Sequence, residues 1–133
     1  MSLDVIQQLE KAGPYRVTEE RLLALSGQLP ADTVRTITLS DQNDLFPSIA
    51  LALGFPAHFG SNFDALYDCL CDPEVVPEQQ LVLVLRQPEV CDEPTLDTLI
   101  AVLQAVADEW RDGNRFFWAL FVSARLDLEI LPG

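Results

Sequence analysis

Two short segments, Leu81–Leu85 (LVLVL) and Phe116–Val122 (FFWALFV), are apolar at every position. A strand with one wet face alternates apolar and polar residues, whereas an unbroken apolar run needs cover on both faces. Leu81–Leu85 therefore reads as a central strand and Phe116–Val122 as a last strand. Between them, Thr95 to Asp112 carries Leu96, Leu99, Ile100, Leu103, Val106 and Ala107 at helical spacing and closes on Gly113. Strands separated by helices imply parallel pairing through right-handed crossovers. The longest apolar run is far shorter than the roughly 20 residues that span a bilayer, so no membrane association is expected.

The rest of the chain fits the same plan. Thr33–Leu39 places Arg35, Ile37 and Leu39 on one face and suits a third strand. A helix is expected from about Asp44, with Pro47 tolerated in its first turn and Gly54 as its stop. A second, short helix should follow Gly60, with Ser61 or Asn62 as N-cap, Asp64 in the first turn and Pro73 limiting its length. The first thirty residues suggest two short helices, Leu3–Lys11 and Glu19–Ser26, with Gly13-Pro14 and Gly27 as stops and Thr18 as a cap. The expected fold is a small α/β domain covering residues 1–133. A parallel sheet of about three strands packs with helices over 33–123, preceded by an N-terminal helical extension over 1–30. With 133 residues, 49% of them hydrophobic, one core can bury about two thirds of the unfolded surface.

The net charge is −13, from 21 acidic and 8 basic residues. That disfavours direct binding to nucleic-acid phosphates and favours a basic partner. The acid is unevenly placed: Asp64 to Asp97 holds nine carboxylates against Arg86 alone, a crowding that ordinary solvated faces also show. The chain starts without a positive segment leading into an apolar run, so no export signal is expected. Three cysteines, Cys69, Cys71 and Cys91, form an odd set, which argues for a reducing, cytoplasmic setting and against a disulfide framework. Cys69 and Cys71 stand two apart on a helix and point to different sides, so no metal or other cofactor is expected.

On the short helix, Asp64 and Asp68 stand at i and i+4 with Tyr67 beside them, and Asp108 and Asp112 repeat the spacing near the end of the long helix. Like charges so placed repel, and the second pair also opposes the helix dipole. Both pairs call for an external cation. Paired carboxylates could instead serve as general acid and base, with the only histidine, His58, in the preceding loop. No nucleophile elbow, phosphate-cradling glycine loop or metal-spaced histidine and cysteine set supports an enzyme. Ala65, Leu66, Cys69 and Leu70 read as core.

The stretch Asp44–Leu70, DLFPSIALALGFPAHFGSNFDALYDCL, closely resembles the barstar family of ribonuclease inhibitors. The matching positions are Pro56, His58, Phe59, Gly60, Asn62 and the ungapped run Phe63–Leu70. VLQAVADEWRDG, Val102 to Gly113, is similar to the family's last helix, and the likeness extends from about Thr33 to Ser123 but not over residues 1–30. The resemblance implies a protein that plugs a basic ribonuclease with its short acidic helix and the loop before it. Asp68 would be the central plug, standing in for a substrate phosphate, and Asp64 a second such contact. Tyr67 would replace a larger aromatic of the family, and His58 would sit where an aromatic normally meets the active site. Asn62 and Phe63 would line the rim, and Asp108 and Asp112 would add long-range attraction. The departures at His58 and Tyr67 leave room for another basic toxin as the partner, and a small carboxylate-dependent enzyme stands as the remaining alternative.

Overall fold

In the computed structural model, which describes residues 12–27 and 29–123, the two apolar runs lie side by side as the inner strands of one parallel sheet. In chain order the elements are β1 (Pro14–Val17), α1 (Glu19–Ser26), β2 (Val34–Thr38), α2 (Leu45–Leu53), α3 (Phe63–Cys71), β3 (Gln80–Arg86), α4 (Glu93–Asp112) and β4 (Phe116–Val122). The sheet order is β1-β4-β3-β2, with Leu83 opposite Ala119 and Val34 opposite Val82.

The run LVLVL splits by parity. Leu81, Leu83 and Leu85 join Phe117, Ala119 and Phe121 beneath α2, α3 and α4, while Val82 and Val84 join Trp118 and Leu120 on the opposite face with Leu22 and Leu25 of α1. Handedness explains why α1 sits apart. Passing β2 to β3 to β4 moves across the sheet in one direction and β1 to β2 moves back, so crossovers of one hand deliver α1 to the other face.

The sheet has four strands where about three are expected from the sequence, and the addition lies in the expected helical extension. Glu19–Ser26 is helical with the Thr18 hydroxyl accepting from the Arg21 amide, as expected. Pro14 to Val17, however, form an edge strand paired with Ala119 to Val122 of β4. A proline is tolerated as first residue of an edge strand, where its missing N–H breaks no ladder bond. The expected helix at Leu3–Lys11 lies outside the described residues. Among the described residues, no helix is long and apolar enough to cross a membrane.

Two exposed carboxylates hold helix ends in place and make stability depend on acid pH. Asp92 caps α4, its Oδ1 accepting from the Thr95 amide at 2.9 Å, and Glu19 pairs with Arg86 at 2.7 Å. Each carboxyl is held below its usual pKa, Asp92 chiefly by the bonds from Thr95 and Glu19 chiefly by the bond from Arg86. A depressed folded pKa contributes stability above the unfolded value and loses it as pH falls through the folded one. The melting temperature should therefore fall as pH drops below the ordinary carboxylate range of about 4. Asp92→Asn should flatten part of that fall; identical melting-against-pH curves for variant and parent would rule out the Asp92 contribution.

Candidate functional site

α3 starts where it does because of its preceding loop. Ser61 adopts a left-handed φ of 52° and turns the chain so that extended Asn62 can cap the helix. The Asn62 Oδ1 accepts from the Ala65 amide at 2.7 Å and its Nδ2 donates to the Gly60 carbonyl at 3.2 Å. The loop itself rests on aromatic rings. Phe46 of α2 meets Phe63 edge-on at 5.0 Å and Phe59 at 6.3 Å, and Phe59 meets Phe55 at 5.0 Å. Phe46 and Phe55 lie outside the site residues expected from the sequence; the signal for them is four phenylalanines within eighteen residues flanking Gly54. Asn62→Ala should cost about 1 kcal/mol of stability through the lost cap, measured by urea denaturation, while Asn62→Asp should retain the cap; equal losses in both variants would refute the capping role.

At its other end α3 is fastened from behind. The Trp110 indole Nε1 donates to the Leu70 carbonyl at 2.8 Å, satisfying an acceptor that the helix end leaves open. The Arg115 guanidinium stacks 3.9 Å from the Trp110 ring centre, donates from Nε to the Glu78 carbonyl at 3.0 Å, and binds the Val76 carbonyl. Burial lowers the Arg115 pKa from its usual value. Arg35 adds an ion pair to Glu78 at 3.0 Å. Sequence reading missed these residues, because no local spacing shows which side chain of α4 reaches the end of α3.

The face that remains is acidic. Asp64 and Asp68 are exposed, and among the described residues neither has an ion-pair or hydrogen-bond partner. Asp72 continues the line at i+8, with one oxygen accepting from the Glu74 amide at 2.9 Å. A cleft of about 280 Å³ lies on one side of this ridge, lined by Asp68, exposed His58, Phe59 and the half-buried Ala65 and Cys69. The expected core positions are thus corrected. Only Leu66 and Leu70 point fully into the sheet; Ala65 and Cys69 are rotated by roughly 100° about the helix and face the loop. A second depression, of about 460 Å³, runs along the seam with α4 and is lined by Phe63, Asp64 and Tyr67 from α3. Tyr67 is half-buried, and Cys71, burial and Glu109 push its phenol upward.

The α4 carboxylates differ from those of α3. Asp108 accepts from Gln104 Nε2 and from Arg111, each at 3.1 Å, so its own helix supplies the cation that the sequence spacing assigns to a partner. Arg111 also donates to the Ala12 carbonyl beside β1. Asp112 is exposed. Glu109, not singled out in the sequence, is the α4 acid acting on Tyr67 and Cys71.

All three cysteines are free, and burial is the first cause raising each thiol, so they stay protonated near neutral pH. Among the described residues, no group of three or more histidine, cysteine, aspartate or glutamate side chains is placed to hold a metal ion.

The family model Barstar (barnase inhibitor) matches residues 30–122, more than half of the chain. A search of curated proteins with this chain found no match.

Proposed function

The chain belongs to the barstar family, and on that premise we propose that it inhibits a basic ribonuclease in the cytoplasm by inserting α3 and the loop before it into the enzyme's substrate cleft. The observation that carries this reading is the absence of any partner for Asp64 and Asp68 among the described residues, on a helix anchored at both ends. A stability-driven surface would neutralise such a pair, as Arg111 does for Asp108. Left open, the carboxylates can accept charge-assisted hydrogen bonds from the cationic side chains that otherwise hold RNA phosphates. Because α3 is already fixed by Asn62, Trp110 and Arg115, little conformational entropy has to be lost on docking.

Asp68 is the central contact in this reading, with Asp64, Tyr67 and His58 around it and Asn62 and Phe63 at the rim. Asn62 would contribute by holding the helix start as much as by touching the enzyme. Asp108 and Asp112 act at longer range. The protein works as a binding partner, not as a catalyst. Mixing it with barnase and a panel of small basic ribonucleases should abolish RNA cleavage by at least one of them at one-to-one stoichiometry. Failure to form a complex with any of these enzymes, or capture of a basic toxin that does not cleave RNA, would overturn the reading.

A chain of net charge −13 meeting a basic enzyme should associate quickly at low salt and more slowly once charges are screened beyond roughly 8 to 10 Å. The change should lie in the association rate. Asp112→Asn should flatten the salt dependence more than Asp108→Asn, because Arg111 already offsets Asp108. Stopped-flow rates that do not vary with salt would assign the acidity to solubility alone.

A further inference from the structure

The depression between α3 and α4 is built differently from the cleft beside His58. It is lined by apolar side chains, Phe63 and Tyr67 on α3 and Ala101, Val102 and Ala105 on α4, together with one carboxylate from each helix, Asp64 and Asp97. Neither has an ion-pair partner among the described residues. The groove is open because α4 presents only methyl groups at the exposed positions Ala101 and Ala105; a longer side chain at either would fill it. Thr98 does not close it, since its hydroxyl is turned back to the Pro94 carbonyl at 3.0 Å.

We propose that this groove receives an arginine or lysine side chain of the same ribonuclease, which makes Asp97 and Ala101 specificity-determining residues of the inhibitor. The proposal rests on the functional reading above and extends its surface to the first half of α4. An apolar lining with a carboxylate from each helix matches a long cationic side chain, whose methylene stem lies on hydrocarbon while its head stays among acceptors. The groove is also continuous with the ridge, since Asp64 and Tyr67 line it. A second copy of this chain is a poor occupant, because two surfaces of the same strong negative charge repel. The stripe Asp97, Ala101, Ala105 leads on along α4 to Asp108 and Asp112 at helical spacing, so an enzyme lying over the groove would also feel those charges.

The test uses the full chain with barnase and the ribonuclease panel, comparing parent, Ala101→Trp, Asp97→Asn and Asp68→Ala. Ala101→Trp fills the groove from an exposed helix position and should weaken binding of the inhibited ribonuclease at least about tenfold, mainly by faster dissociation. Asp97→Asn removes the charge without adding bulk and should lower the association rate; it keeps the proposal falsifiable if the tryptophan variant melts early. Parent-like binding by both groove variants, with Asp68→Ala strongly impaired, would overturn the groove proposal and leave the functional reading intact. A parent that binds none of the enzymes would overturn both.

Discussion

Replacing Asp68 with alanine should weaken the complex with the target ribonuclease by about 30-fold to several thousand-fold while leaving the free protein slightly more stable. Truncating one member of a desolvated charge pair costs roughly 2 to 5 kcal/mol or more, a general range to which the barnase–barstar complex itself contributes. The stability side follows from where the carboxylate sits. Asp68 is in the last turn of α3, where the helix dipole disfavours negative charge, and it has Asp64 and Asp72 four residues away on either side. No cation among the described residues offsets these terms. Removing the charge should therefore raise the melting temperature by a small amount, each like-charge neighbour accounting for a few tenths of a kcal/mol at about i,i+4 spacing. Opposite signs in the two measurements are characteristic of a residue kept for function at the expense of stability. Inhibition by Asp68→Ala equal to the parent would remove Asp68 from the centre of the interface. A drop in melting temperature together with weaker binding would instead make Asp68 a structural residue.

Much of this arrangement could be read in the chain itself, and what could not has identifiable causes. The inner strands were legible because burial on both faces leaves a run such as LVLVL with no polar alternation. The bounds of α2 and α3 were legible because Gly54, at φ 68°, and Asn62, with its bond to Ala65, act through their immediate neighbours. β1 was hidden for the converse reason. Tyr15 and Val17 favour strands, but four residues opened by a proline are too short a run to show a strand pattern, and Pro14–Val17 become a strand because β4 offers a free edge. The width of the α3 core was overestimated, since a nine-residue helix beside a loop buries only the stripe through Leu66 and Leu70. On α4 the i,i+4 spacing of Asp108 and Asp112 drew attention from the equally local i,i+3 pair of Asp108 with Arg111. The bonds from Trp110 and Arg115 had no sequence signal, because they depend on where the ends of two helices meet.

Trp110 is where that tertiary meeting should be most costly to disturb. The side chain is 1% exposed, its ring lies 5.6 Å from that of Phe117, and it carries both the bond to Leu70 and the stacked Arg115. Trp110→Ala opens a large cavity beneath α4 and should cost about 3 to 5 kcal/mol, a large part of the roughly 5 to 15 kcal/mol that holds a domain of this size folded. Urea denaturation should show a lower midpoint. Trp110→Phe separates packing from hydrogen bonding, because a phenyl ring retains most of the apolar contact but cannot donate to the Leu70 carbonyl. An acceptor left unsatisfied in the interior costs about 1 to 3 kcal/mol, and a smaller aromatic face weakens the contact with Arg115. The stability order should thus be parent, then Trp110→Phe, then Trp110→Ala, with an unchanged denaturant slope as long as unfolding stays two-state. Since Leu70 lies at the end of α3 that bears Asp68, Trp110→Phe should also weaken ribonuclease binding under conditions where it remains fully folded. A phenylalanine variant as stable as the parent would show that the indole bond to Leu70 contributes nothing, and one that is destabilised yet binds normally would detach the anchor from the acidic face.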